Sequence, residues 1–397
     1  METKKALEGV KILDFTRVYS GPYCTMLLAD LGAEVVKIEA QGRGDDSRNF
    51  YPVKNGVSGY FTYLNRGKKS ITLNLKSEKG KQMALELAKW ADVVVENFSA
   101  GTIGRLGLGY EDICKVNPRI IYASISGFGQ SGPYSRKAAY DGIAQAMGGM
   151  VNLTGYPDET PVKVGPAISD AATGVHAAVA ILAALWHREH TGEGQYIDMS
   201  MMDTVFSFLE NSIPIMTMMG INPERLGNGN PGSAPYNLYK CRDGVIMIAT
   251  ANNSLFTRLI GVMGQPELIE DPRFATNPER KLHEHDIDPI VEAWTMQHDA
   301  EEIEKMLDAV GVPVAQIKTV EQLIDDPQLN QRDMVIEHDV PGVGKVKFPG
   351  NPLKLQKTPP VTDRRAPLLG EDTDDILKEI LHCSDDEVKE LREEGIV

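Results

Sequence analysis

The chain has 397 residues, 24% of them charged and 42% hydrophobic, which excludes global disorder and leaves room for two or three domains. Lys and Arg number 41 against 56 Asp and Glu, a formal net charge of −15. That sign excludes wholesale binding to nucleic acid or an anionic membrane, because each phosphate contact needs a local cation.

An anionic small ligand stays open if basic residues gather in one cleft. The four cysteines, Cys24, Cys114, Cys241 and Cys383, form no CxxC or Cys/His zinc spacing, so reduced thiols and a cytoplasmic setting are expected. The opening METKKALEGVKILDF carries no apolar run of signal length, so export is not expected.

From residue 10 to 201, short β-branched runs alternate with stretches of helical spacing, the pattern of an α/β protein with parallel strands and helical crossovers. Strands are predicted at Val10–Phe15, Glu34–Glu39, Ser70–Leu75, Asp92–Phe98, Arg119–Ser126 and Gln195–Met201. Helices are predicted at Tyr23–Leu31, Ser77–Trp90, Tyr110–Val116, Asp141–Met147 and Asp170–His190. The apolar stretch Ala177–Trp186 is too short to cross a bilayer and reads as a buried helix. INPERLGNGNPGSAP, residues 221–235, is dense in Gly, Pro and Asn and marks a domain boundary or mobile loop. Beyond it come a strand at Val245–Ala249 and helices at Leu255–Met263, Asp286–Gln297 and Ala300–Ala309. The tail from Leu323 holds PGVGKVKFPGNP and closes with acidic helices at Asp372–Leu381 and Asp385–Glu394.

The first strand-to-helix turn, DFTRVYSGPYC, stands where a nucleotide-binding loop would, yet it lacks GxGxxG. Nicotinamide chemistry is therefore disfavoured, and no flavin is expected. Gly21-Pro22 reads first as a helix start. Basic residues cluster after strand ends: Arg43, Arg48, Arg66, Lys68, Lys69, Lys76, Arg105, Arg136 and Lys137. Those loops can converge on one polyanion, or remain scattered solvated charges.

Asp170 falls where a helix should begin. A cap or dipole partner is the first reading; the second is an ionised nucleophile toward an activated acyl group. GNGNPG at 227–232 lacks the GK[ST] ending of a P-loop and reads equally as lid or linker. The histidines, His283 and His285 included, lack HExxH spacing, and no metal site is expected. No GxSxG elbow is present.

Seven stretches in order, LEGVKILDFTRVYSGPYCTMLLADLGAEVVKIE, NRGKKSITLNLKSEKGK, ADVVVENFSAGTIGRLGLGYE, NPRIIYASISGFGQSGP, AYDGIAQAMGG, GPAISDAATG and APLLGEDTDDIL, resemble the family III CoA-transferases, a group that includes formyl-CoA and carnitine CoA-transferases. The resemblance implies a Rossmann-like large domain with a parallel sheet, built from residues 1–220 and 323–397, a smaller α/β domain at 236–322 and a linker at 221–235. It also implies two subunits interlocked in a homodimer. By the same resemblance Asp170 is the catalytic residue, and coenzyme A, entering as an acyl-CoA substrate, is held by Val18, Tyr19, Leu73, Asn74, Leu75, Lys76, Asn97, Phe98, Arg105, Lys137 and Tyr140. Asp141, Gly227, Gly229 and Gly232 are then acyl-pocket or lid residues.

The partners implied are an acyl-CoA donor and a carboxylic acid acceptor. Formyl-CoA transferase has Gln at Tyr19, Arg at Ala40, Glu at Asp141 and a run of glycines at 227–232, so formate and oxalate are disfavoured as substrates. The α-methylacyl-CoA racemase branch, the alternative function, uses a histidine where this chain has Tyr140.

Overall fold

The computed structural model describes residues 5–397 and divides into two compact units. The first comprises residues 5–150, 164–210 and 326–397, and the second comprises 151–163 and 211–325.

In the first unit six strands form one parallel sheet: β1 (Lys11–Asp14), β2 (Glu34–Glu39), β3 (Lys69–Thr72), β4 (Val93–Glu96), β5 (Ile121–Ser126) and β6 (Tyr196–Ser200). Their spatial order is β3-β2-β1-β4-β5-β6. The central strands are covered on both faces, so they read as continuous apolar runs instead of alternating ones; Val93, Val94 and Val95 are all fully buried.

The helices of this unit include α1 (Ser20–Asp30), α2 (Gly59–Leu64), α3 (Glu78–Trp90), α4 (Thr102–Arg105), α5 (Tyr110–Val116), α6 (Asp141–Met147) and α7 (Ile168–Thr191). On one sheet face Leu13, Val36, Ile71 and Val94 pack with Met83 and Leu87 of α3, Ile113 of α5, and Ile376 and Leu391 from the C-terminal helices. On the other, Ile12, Val35, Val95 and Ile121 pack with Leu28 of α1 and Ala177 and Ile181 of α7. The chain turns opposite ways on either side of β1, so the loops after β1 and β4 part and leave a crevice at the carboxyl ends of the strands.

All six predicted strands of this sheet are present. The structure corrects several other expectations. Helix α1 begins at Ser20, ahead of the predicted Tyr23. Asp170 does not cap α7; Ala167 does, and Asp170 is the third helical residue. Helix α7 is buried on one face only, since Val179 and Trp186 are 60% and 71% exposed. The Pro/Gly-rich tail passage supplies the turn and second strand of a hairpin, Val335–Val340 with Gly344–Pro349, which its turn residues obscured.

The second unit carries a three-stranded antiparallel sheet, Val314–Gln316, Gly244–Ala249 and Tyr236–Cys241 in that spatial order. Phe256, Ile260, Val291, Trp294 and Leu307 from its helices make the core. Tyr236–Cys241 was not predicted as a strand, because YNLYKC mixes polar and apolar residues on a half-buried ladder.

Gly174 sets the approach of α7 to α1. A Cβ there would lie 2.7 Å from Ser20 O and 3.1 Å from Tyr23 Cδ1, a separation real side chains do not tolerate. Gly174→Ala is expected to force the two first turns apart and cost about 1–3 kcal/mol, measurable by urea unfolding, even though alanine favours helix.

Candidate active site

The turn between β1 and α1 is built on buried charge. Asp14, at the end of β1, faces Lys68 Nζ at 3.0 Å, and Lys37 Nζ faces Asp45 at 3.0 Å; all four side chains are at most 1% exposed. Asp14 also accepts from Thr16 N–H at 2.8 Å and from the Thr16 and Thr25 hydroxyls at 2.5 and 2.7 Å. Burial pushes the Asp14 carboxyl up, but Lys68, Lys37 and these hydroxyls outweigh it and hold it below its usual range. Burial likewise opposes the Asp45 charge, yet Lys37 and the Ser47 hydrogen bonds hold Asp45 down at about 2.

Above this turn lies Asp170 in the first turn of α7. Its carboxyl is pushed up to about 7, first by burial and then by Asp141, against the pull of the Ser20 N–H and hydroxyl that approach it. Asp141, the first residue of α6, is itself tied to α7: it accepts from Ser169 N–H at 2.9 Å, Ser169 Oγ at 2.7 Å and Gln145 Nε2 at 2.7 Å. Two tyrosines complete the surround. Tyr19 and Tyr60 meet edge to face at 5.8 Å. Burial raises both phenols, and the Asp170 and Asp141 charges raise them further, so they stay protonated as hydrogen-bond donors.

Two cavities share Arg17, Asp46 and Phe98 as lining. The larger, about 650 Å³, is also lined by Leu73, Asn74, Leu75, Lys76 and Arg43. The smaller, about 250 Å³, is lined by Val18, Tyr19, Ser20, Asn97, Lys137, Tyr140 and Asp170. Ten of the eleven residues predicted to hold coenzyme A thus line one cavity or both. Arg105 lines neither; its guanidinium donates to Thr102 Oγ1 at 2.9 Å, and Thr102 takes the wall position. Asn97 lines the smaller cavity, but its amide is occupied by Arg17: Oδ1 accepts from Arg17 N–H at 2.8 Å and Nδ2 donates to Arg17 O at 2.7 Å.

Seven of the nine cations read from the loops separate into two groups; Arg105 and Arg136 belong to neither. Arg43, Lys76 and Lys137 reach the cavity walls. Arg48, Arg66, Lys68 and Lys69 instead pair with Glu39, Asp30, Asp14 and Glu34, carboxylates within the same unit. Arg17, stacked 5.1 Å over Phe98, is the wall cation sequence reasoning missed, and Ser20 and Tyr60 are likewise new. No spacing rule singles out these three.

Gly227, Gly229 and Gly232 belong to the second unit. Arg225 donates to Tyr156 O at 3.1 Å and Glu159 O at 2.9 Å, Asn228 Nδ2 donates to Tyr156 Oη at 2.8 Å, and Asn277 Nδ2 donates to Gly232 O at 2.7 Å, so both ends of this loop are tied to its own unit.

A sequence profile described as CoA-transferase family III matches residues 7–373. The chain belongs to that family. A family III relative, succinyl-CoA–D-citramalate CoA-transferase of Chloroflexus aurantiacus, is 36% identical over 99% of this chain and 98% of its own. Human succinyl-CoA:glutarate CoA-transferase is 38% identical over 100% of this chain and 91% of its own. The crystal structure of a CAIB/BAIF family protein from Brucella suis superposes with a TM-score of 0.84 at 38% identity, covering 95% of this chain and 99% of that one. This family III CoA-transferase is therefore an enzyme, an acyl-CoA:carboxylate CoA-transferase.

The raised Asp170 pKa has a consequence for stability. An unfolded Asp titrates near 3.9, so between about pH 4 and 7 the folded chain binds more protons here than the unfolded one, and stability falls as pH rises through that window. Asp170→Asn removes this loss. Urea unfolding is expected to show the variant more stable than wild type at pH 8, by an increment that shrinks toward pH 5; equal increments at both pH values would contradict the assignment.

Proposed function

We propose that Asp170 is the nucleophile of a CoA transfer from an acyl-CoA donor to a free carboxylic acid. The observation that carries this reading is a half-buried carboxyl, its pKa raised to about 7, on the wall of a cavity that shares Arg17, Asp46 and Phe98 with a larger one lined by Arg43 and Lys76. In this reading the nucleotide end of coenzyme A occupies the larger cavity against Arg17, Arg43 and Lys76, and the thioester enters the smaller one. An Asp170 oxygen attacks the donor carbonyl, the C–S bond breaks, and CoA leaves as thiolate from an aspartyl mixed anhydride. The thiolate attacks Asp170 Cγ, expelling the donor acid and leaving an aspartyl-CoA thioester. The acceptor carboxylate attacks that Cγ and releases the thiolate again, which then takes the acceptor acyl group from the new anhydride. No proton is gained or lost overall, and each step exchanges one activated acyl for another.

In this reading the Tyr19 and Tyr60 phenols, whose pKa values the Asp170 charge raises, donate to the developing oxyanion. A 227–232 lid that excludes water belongs to the same reading, since an anhydride hydrolyses when solvent reaches it. The strand order β3-β2-β1-β4-β5-β6 supports a Rossmann-like description of the first unit. The exposed apolar face of α7, with Val175, Val179 and Trp186, supports burial in an interlocked homodimer. Relatives named for succinyl-CoA with citramalate, glutarate or mesaconate support short dicarboxylic acids as the substrate class. The racemase alternative loses ground: its histidine position is Tyr140, and no histidine lines the cavity that holds Asp170.

The test is to incubate the protein with succinyl-CoA and hydroxylamine and map the peptides by mass. A hydroxamate on the Asp170 peptide is expected, absent in Asp170→Ala, together with a loss of transfer activity on the order of 10³-fold or more. Its rate should rise about tenfold per pH unit up to about 7 and then level off, as ionisation of Asp170 completes. Solvent deuterium at the α-carbon of a 2-methylacyl-CoA with no adduct on Asp170 would overturn the covalent route.

A further inference from the structure

Val18 has φ +67°, a backbone conformation that β-branched residues avoid and glycine adopts freely. It stands two residues before Ser20, which lines the smaller cavity together with Asp170 and draws that carboxyl's pKa down. Strain of this kind persists only where the surroundings over-determine it, and here they do. Lys37 Nζ donates to Thr16 O at 2.5 Å, the Asn97 amide brackets Arg17 from both sides, and Asp45 Oδ1 accepts from Val18 N–H at 3.1 Å. Asp45 is fixed in turn. It accepts from Ser47 N–H at 2.9 Å and Ser47 Oγ at 2.8 Å, its own N–H donates to Glu39 at 2.9 Å, and it pairs with Lys37. Three consecutive residues of one turn are thus held by side chains from β2, from the residue after β4 and from the loop after β2.

We propose that Lys37 and Asp45 are positioning residues for CoA transfer, locking the strained Val18 turn so that Ser20 is presented to Asp170. This rests on Asp170 being the nucleophile. A buried ion pair that only stabilised the fold would need no link to a left-handed valine. The geometry instead places the pair on the Val18 N–H, through Asp45, and on Thr16 O two residues before it, through Lys37.

The prediction is a coupling between Asp45 and Val18. With succinyl-CoA and hydroxylamine as the probe, Asp45→Asn is expected to slow hydroxamate formation on Asp170 by about 10–100-fold, with the apparent KM for succinyl-CoA changed less than about threefold. In a Val18→Gly background, where the turn needs no holding, the same Asp45→Asn change is expected to cost less than about threefold. Ser47→Ala, which loosens Asp45 without removing its charge, serves if Asp45→Asn does not fold; it is expected to slow trapping by about 3–10-fold and to lose that effect beside Val18→Gly.

All rates are taken well below each variant's melting temperature. Unchanged trapping in variants that only melt earlier, or full additivity with Val18→Gly, would overturn the positioning role while leaving Asp170 as nucleophile. Absence of a hydroxamate in the wild type would instead overturn the nucleophile assignment, and this inference with it.

Discussion

Two ion pairs sealed beneath the first strand-to-helix turn set the geometry of everything above them. Moving charge out of water is expensive, and a buried pair is retained at little net gain in stability unless its geometry and remaining hydrogen bonds are satisfied. Lys68 and Asp14 meet that condition with a direct hydrogen bond, whereas Asp45 Oδ2 faces the Lys37 charge at 3.0 Å without one. Asp14 and Lys37 are also register partners on β1 and β2, so a one-residue slip between these strands would turn Lys37 to the opposite face of the sheet and leave Asp45 without its ion-pair partner. The charges therefore specify register as well as the path of the turn. A dinucleotide-binding loop obtains its shape from glycines; this turn lacks that fingerprint and is shaped from below by lysine and aspartate.

The environment of Asp170 follows from that foundation. Helix α1 starts early, at Ser20, and Gly174 lets α7 come against it. The two first turns then enclose a carboxyl with a second carboxylate and two phenols near it. Such a group is reluctant to ionise and correspondingly basic when it does. Arg43 and Lys76 stand around the larger cavity, where they can hold an anionic handle, while Arg17 and Lys137 line the cavity that holds Asp170.

Much of this was legible in the sequence. The six parallel strands announced themselves as short apolar runs, and Asp170 stood out through its position at a helix start within a recognisable motif. The cations were harder. Arg48, Arg66, Lys68 and Lys69 are indistinguishable from Arg43 and Lys76 by spacing, and only the fold shows which carboxylate claims each. Arg17, Ser20 and Tyr60 were missed because their roles come from a positive φ at Val18 and from α2 packing near α1, neither of which leaves a periodic signal. Asn97, expected to hold coenzyme A, lines the smaller cavity, and the partner of its amide is a backbone 80 residues away.

The wall of the larger cavity has one further property. Asn74 N–H donates to Ile396 O at 2.8 Å, its side chain reaches Gly395 O at 3.4 Å, and Gln41 Nε2 reaches Val397 O at 2.9 Å. Partners 321 residues apart meet only after the chain has left the first unit, completed the second and come back. Such distant pairings carry the full entropic toll of loop closure before any reward arrives. On a ribosome, all six strands are made before this wall is, and the sheet would wait with the face that Ile376 and Leu391 cover still open, a long interval in which exposed apolar surface invites misassembly and in which a chaperone has its clearest opportunity.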